Sequence, residues 1–202
     1  MYLHYTNFYN IMQEILKGTK CMKEMEYKFL VSSIPFTYST NMYSITQYYL
    51  DKKIVMTQIC SLLLIDNETA KSIHNVRVRK CIENDIENYY LTAKTKGDFV
   101  RDEYERRITK EEALTLIQNA NKMIKKIRYT IIEKKIKFEF DYYYLRKDKL
   151  KICEVEVSDK TDYNKILNIL KNTFNIEFTD VTYQEQYKNY NLAQGVDYER
   201  NI

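Results

Sequence analysis

Six times along this chain, two like charges stand two residues apart inside a run that otherwise alternates with apolar side chains. The pairs are Glu24/Glu26, Arg77/Arg79, Glu103/Glu105, Lys126/Arg128, Glu139/Asp141 and Glu154/Glu156. Successive side chains of a β-strand point to opposite faces, so each pair shares one face and the apolar residues between share the other. Glu24, Glu26 and Lys28 thus stand opposite Met25, Tyr27, Phe29 and Val31. Arg77 and Arg79 oppose Val76 and Val78, while Thr92, Lys94 and Lys96 oppose Leu91 and Ala93. Arg101, Glu103, Glu105 and Arg107 share a face, and Lys126 and Arg128 turn away from Ile127, Tyr129 and Ile131. Glu139 and Asp141 oppose Phe138, Phe140 and Tyr142, and Glu154 and Glu156 oppose Cys153, Val155 and Val157.

The remaining segments fill in around these strands. Residues 42–50 read as a strand or a helix–strand junction, and residues 54–65 as a further extended segment, with residues 59–65 a buried-strand candidate. Asp66-Asn67-Glu68 reads as a turn, Gly97-Asp98 as a hairpin turn and Arg146-Lys147-Asp148 as another turn. Thr109 and Glu112 form a capping-box pattern ahead of Ala113, Leu114 and Ile117. A helix is expected from about Asp162 to Phe174, and a short terminal helix or turn around 187–193. Phe8, Ile11, Met12, Ile15 and Leu16 recur at helical spacing, so residues 1–20 are expected to be an extension carrying a short helix, and residues 21–202 the main domain.

Composition narrows the chemistry. The 202 residues suffice for one domain with a real core. With 32 Lys+Arg against 28 Asp+Glu the net charge is only +4, which does not mark a nucleic-acid-binding surface. Cys21, Cys60, Cys81 and Cys153 show no CxxC spacing and read as reduced thiols of a cytoplasmic protein. His4 and His74 are the whole histidine content, so a metal here would be held by carboxylates, which suits Mg²⁺ or Mn²⁺. No apolar run approaches the ~18 residues of a membrane span, and no secretory pattern opens the chain.

Two architectures accommodate the charged faces. They can meet water as an ordinary solvated sheet face, with ion pairs of roughly 0–1 kcal/mol each. Alternatively the strands close into a barrel with these faces inward, forming a wet tunnel of acids and bases under helices that cover the outside. Such a lumen suits a compact polyanion and its metal, since Arg and Lys neutralise phosphate oxygens while carboxylates hold the cation.

Glu24-x-Glu26-x-Lys28 inside EMEYKFLV resembles the ExExK signature of the CYTH domain, the triphosphate tunnel metalloenzymes. The resemblance continues in order through ITQYYL, VRVRK, LTAKTKGDFVRDEYE, KIRY, FEFDYYYL, CEVEVSD and YKNYNLA, over roughly residues 22–195. It implies an α+β fold, an eight-stranded antiparallel β-barrel with flanking helices. It implies Glu24, Glu26, Asp141, Glu154 and Glu156 as ligands of Mg²⁺ or Mn²⁺, and Lys28, Arg77, Arg79, Lys94, Lys126 and Arg128 as the triphosphate grip. Arg101, Glu103, Glu105 and Glu139 match tunnel-lining positions, and Glu24, Glu26, Lys28 and Glu156 are the expected catalytic set. Gln47, Tyr49 and Tyr187 are assigned to core or tunnel-mouth packing. Two departures stand out: the connection from Leu50 to Arg77 is long, and Tyr48 replaces the glycine of the usual Gln-Gly-Tyr-Leu.

The resemblance implies a hydrolase of a small triphosphate, inorganic or nucleoside, working as a monomer or homodimer away from membranes. Adenylate cyclase, thiamine triphosphatase and RNA 5′-triphosphatase are the alternatives within it. A non-catalytic binder of polyphosphate or nucleotides is the alternative outside it, disfavoured by the complete acidic set.

Overall fold

The computed structural model describes residues 18–144, 146–158 and 162–195. The expected helix of the first twenty residues lies almost wholly outside this range, and strand β1 already begins at Thr19.

Eight long strands build the body: β1 (Thr19–Val31), β2 (Asn41–Leu50), β3 (Ile73–Glu83), β4 (Ile86–Thr95), β5 (Val100–Ile108), β6 (Ala120–Glu133), β7 (Ile136–Tyr142) and β8 (Lys151–Glu156). Their order is β6-β2-β3-β4-β5-β1-β8-β7, and β7 pairs back with β6. The sheet therefore closes into an antiparallel barrel with no free edge among these strands, as the resemblance implies. β1 is staggered between neighbours, pairing with β5 over Thr19–Met25 and with β8 over Glu26–Leu30. Two short strands lie outside the ring: β9 (Phe178–Asp180) on β1 and β10 (Gln194–Gly195) on β6.

Turn chemistry fixes the register. The β3–β4 and β6–β7 hairpins are both two-residue turns with positive φ at each position, at Asn84 and Asp85 (47° and 64°) and at Lys134 and Lys135 (50° and 66°). Asn and Asp tolerate that conformation, whereas Lys134-Lys135 adopts it at a steric cost that the flanking pairs offset. In the β4–β5 turn a side chain at Gly97 would bring a Cβ to 2.1 Å from the Val100 carbonyl oxygen, so only glycine fits.

The segment read as an extended run at 54–65 is a helix, α1 (Lys52–Leu63). Asp51 caps it by accepting from the Lys53 amide at 3.0 Å, and Leu64 ends it in the left-handed conformation. Val55, Ile59 and Leu63, four residues apart, are its buried stripe, each contributing about 1.5–3 kcal/mol on burial. The β-branched residues that suggested a strand are overridden by this packing. The turn expected at Asp66-Asn67-Glu68 is instead a helix start: Asp66 accepts from the Thr69 amide at 2.7 Å and caps α2 (Asn67–Ser72). The long connection before Arg77 is therefore two helices.

α3 (Lys110–Ile117) carries the expected capping box, Thr109 with Glu112. With α1 it covers the outer apolar face of β3–β5, over Val76, Val78, Leu91 and Ala93. α4 (Tyr163–Asn168) runs on as a π-helical turn over Ile169–Thr173. Its Ile166, Ile169 and Leu170 pack on Phe29, Phe138, Phe140, Cys153 and Val155 outside β1, β7 and β8. Met42 on β2 is exposed. A third cluster joins Tyr49, Ile124, Tyr143 and Ile152 to Leu192 and Ala193, where α5 (Asn189–Leu192) packs at one end of the barrel. All four cysteines are free.

Candidate active site: a mixed-charge tunnel

Barrel closure turns the charged faces inward. Glu24, Glu26, Arg77, Arg79, Lys94, Arg101, Glu103, Glu105, Arg128, Glu139, Glu154 and Glu156 line one 230 Å³ chamber. A second chamber of 540 Å³ opens beside it, lined by Lys28, Tyr49, Asn75, Lys188 and Tyr190 among others. Glu26, Arg77, Lys94, Arg101 and Asn189 border both, so the chambers meet at that ring of residues. Lys126 and Asp141 lie deeper in the wall, wholly buried. Every residue expected at the site is brought to the lumen or the wall directly behind it.

Register pairs most bases with acids. Lys28 sits across from Glu154 with Nζ 2.6 Å from its Oε1, and 3.3 Å from Glu26 Oε1. Lys94 donates to Glu24 at 2.8 Å and also pairs with Glu103. Arg101 Nε donates to Glu24 at 2.6 Å. Arg128 reaches Asp141 and Glu154, each at 2.6 Å, as well as Glu139, and Lys126 pairs with Asp141. Arg79 Nη2 donates to Glu105 at 2.8 Å.

The carboxylates divide by environment. Burial alone would raise Glu24, but Lys94 and Arg101 hold it far below the ordinary range. Burial likewise opposes ionisation of Glu154, and Lys28, Lys126 and Arg128 outweigh it. Glu26 is pushed up instead, by burial and then by the charge of Glu154. Glu156, exposed at the rim, is raised by partial burial and by Glu24, and no cation pairs with it among the described residues. An all-carboxylate set containing mutually repelling members is chemically suited to a hard divalent cation. In this conformation the donors are engaged with lysine and arginine, and no three acidic, histidine or cysteine residues converge to metal-binding distance among the described residues.

Arg77 differs from the other bases. It is 8% exposed, and no carboxylate lies within ion-pair distance among the described residues. Nη1 donates to the Gln47 oxygen at 3.4 Å, the Tyr49 hydroxyl also lies against the guanidinium, and Nε has no partner among the described residues.

Several positions that line or brace the tunnel escaped the strand pattern. Gln47, expected to be packing, is 2% exposed and lines the charged chamber. Asn189 accepts from the Tyr143 hydroxyl at 2.6 Å and donates to Glu154 at 3.2 Å. Lys188 bridges Asp98 at 2.8 Å and Glu185 at 2.5 Å, tying the terminal segment to the β4–β5 turn. Lys137 lines the smaller chamber and pairs with Glu139 at 2.6 Å. A neutral amide has no charge pattern to announce it; Lys137 could have been found by its parity with Glu139. Tyr187 packs with the third cluster, as expected.

Fold and lumen together define a closed antiparallel barrel built around ionised side chains. Solved structures share that fold. HpAC1 from Hippeastrum, reported to have a dominant triphosphatase activity, has a TM-score of 0.52 at 12% identity, covering 82% of this chain and 92% of that one. An adenylate cyclase-like protein from Bacillus halodurans has a TM-score of 0.52 at 15% identity, covering 79% and 93%. The inorganic triphosphatase NE1496 is 23% identical with a TM-score of 0.49, covering 86% and 95%. No family model matches the sequence. A search of curated proteins finds no match either.

Proposed function

We propose that this chain is a triphosphate tunnel metalloenzyme that hydrolyses a small triphosphate, inorganic tripolyphosphate or a nucleoside triphosphate, with Mg²⁺ or Mn²⁺. The observation that carries the reading is Arg77: a guanidinium nearly closed off from water, at the junction of two chambers, with no carboxylate at ion-pair distance among the described residues. A buried guanidinium with no directly bonded carboxylate keeps donors free, and an incoming phosphate oxygen supplies a partner for them. The dominant triphosphatase activity attributed to HpAC1 gives the reading its direction.

Lys28, Lys94, Arg79 and Arg128 would grip the remaining phosphate oxygens, each exchanging part of its carboxylate pairing for the substrate. Glu24, Glu26 and Glu156, with Asp141 and Glu154 behind them, would hold the cation. A divalent ion there supplies charge neutralisation at the phosphates and activation of an attacking water. The chain's own carboxylates keep distinct states: Glu24 stays ionised beside Lys94 and Arg101, while Glu26 is the more readily protonated neighbour.

Phosphate release from tripolyphosphate and from ATP, with Mg²⁺ or Mn²⁺ and with a chelator, tests the proposal. Metal-dependent release that falls at least tenfold in Arg77→Ala is expected. Turnover indifferent to metal and to Arg77 sinks it, and formation of a cyclic nucleotide would transfer the site to cyclase chemistry.

A further inference from the structure

Most bases of the tunnel acquire a carboxylate through strand register. Lys28 lies across from Glu154, Lys94 from Glu103, Arg128 from Asp141 and Arg101 from Glu24. Arg77 lies across from Tyr49 on one side and Thr92 on the other, both uncharged at neutral pH. Besides the Tyr49 hydroxyl, Gln47 reaches it from two residues before Tyr49 on the inward face of β2. The Gln47 oxygen accepts from the Tyr49 hydroxyl at 3.1 Å and from Arg77 Nη1 at 3.4 Å. Gln47 and Tyr49 are each 2% exposed, so neither has solvent as an alternative partner. A carboxamide so fixed points its dipole at the guanidinium while leaving the positive charge intact.

We propose that Gln47 is a positioning residue, fixed by Tyr49, which aims Arg77 into the junction of the two chambers without cancelling its charge. The choice of a neutral acceptor is what matters. A carboxylate at this position would hold the guanidinium more firmly but offset its charge, as Glu105 does in part for Arg79. A hydrocarbon would leave the side chain free to rotate toward Glu103 or Glu105, which lie near enough to act on its charge. Gln47 avoids both outcomes, so Arg77 stays available and pre-aimed. The inference rests on the triphosphate reading of the tunnel for the identity of the anion, but the hold of Gln47 on Arg77 is a property of the ligand-free protein.

The test uses Gln47→Leu and Gln47→Glu in the full chain, with folding checked by thermal melting. Two readouts are made: the Arg77 Nε–Hε signal in ¹H–¹⁵N NMR without ligand, and calorimetric affinity for tripolyphosphate. In the parent protein a single slowly exchanging Nε signal and measurable binding are expected. Gln47→Leu should broaden that signal and weaken tripolyphosphate about tenfold, the loss of one hydrogen bond's control over a charged group. Gln47→Glu should keep the signal sharp and still weaken the ligand at least tenfold, separating aim from charge. An unchanged signal and unchanged affinity in Gln47→Leu overturn the role assigned to Gln47. A parent protein that shows the signal yet binds no tripolyphosphate overturns the triphosphate reading, whatever the variants do to the signal.

Discussion

Lys28 and Glu154 stand opposite one another across the β1–β8 pair, Nζ to Oε1 at 2.6 Å, with almost no solvent reaching either. Glu154 also receives Arg128, so this one carboxylate compensates cations from two strands. Glu154→Ala strands those charges in the wall. It should destabilise the fold by about 3–5 kcal/mol, the scale for breaking a buried pair, measured by denaturant unfolding. A loss below ~1 kcal/mol would mean that water reaches the site freely.

Glu26 is expected to trade stability for function. Its carboxyl is raised by burial and then by Glu154, so ionising it on folding carries a penalty. Glu26→Gln removes that penalty and should stabilise the metal-free protein by about 1 kcal/mol at neutral pH while lowering triphosphate turnover. The sign follows from the raised value. The difference is full above the folded-state pKa and vanishes below the unfolded one, where both forms are neutral. Paired unfolding curves at pH 7.5 and pH 4 check it.

On the surface, Glu87 accepts from Lys110 at 3.0 Å and from the Tyr89 hydroxyl at 2.8 Å, and it also pairs with Lys80. The Lys80 hydrogen bond first, then those from Lys110 and Tyr89, lower its carboxyl to about 2. A lowered carboxylate contributes stability above its unfolded value of 4.5 and loses it as the pH falls through about 2. An NMR titration of the Glu87 side chain should show that low midpoint. Glu87→Gln should flatten the pH dependence of stability between those values.

Ile59 is fully buried in the stripe of α1 that covers β3–β5. Ile59→Ala should cost about 2–5 kcal/mol in thermal or chemical unfolding, with the spread set by how far the cluster collapses into the cavity. Ile54→Ala, one face away and 66% exposed, should stay within about 0.5 kcal/mol.

The strand faces were readable because charge and apolarity alternate with a period of two, a local property that survives whatever the partners are. Glu24/Glu26 and Arg77/Arg79 declare their shared faces without any knowledge of the barrel. The stretch at 54–65 misled because Ile54, Val55 and Ile59 favour strands locally, whereas burial at four-residue spacing under the Asp51 cap decides for helix. Gln47 was read only as core or tunnel-mouth packing and Asn189 received no role, since a neutral amide looks the same in a loop, a core or a binding site.

The sequence by itself determined which side chains share a face, where the α3 capping box and the Gly97 turn fall, and that any cation site here must be carboxylate-rich. Tertiary structure alone decided that those faces point inward, since closure of β6 onto β7 converts an open sheet into a tunnel. It also decided which acid meets which base. Partner choice follows strand stagger, and stagger is set by every turn in the ring at once, so Arg77 is left without a carboxylate by a register that no single segment encodes.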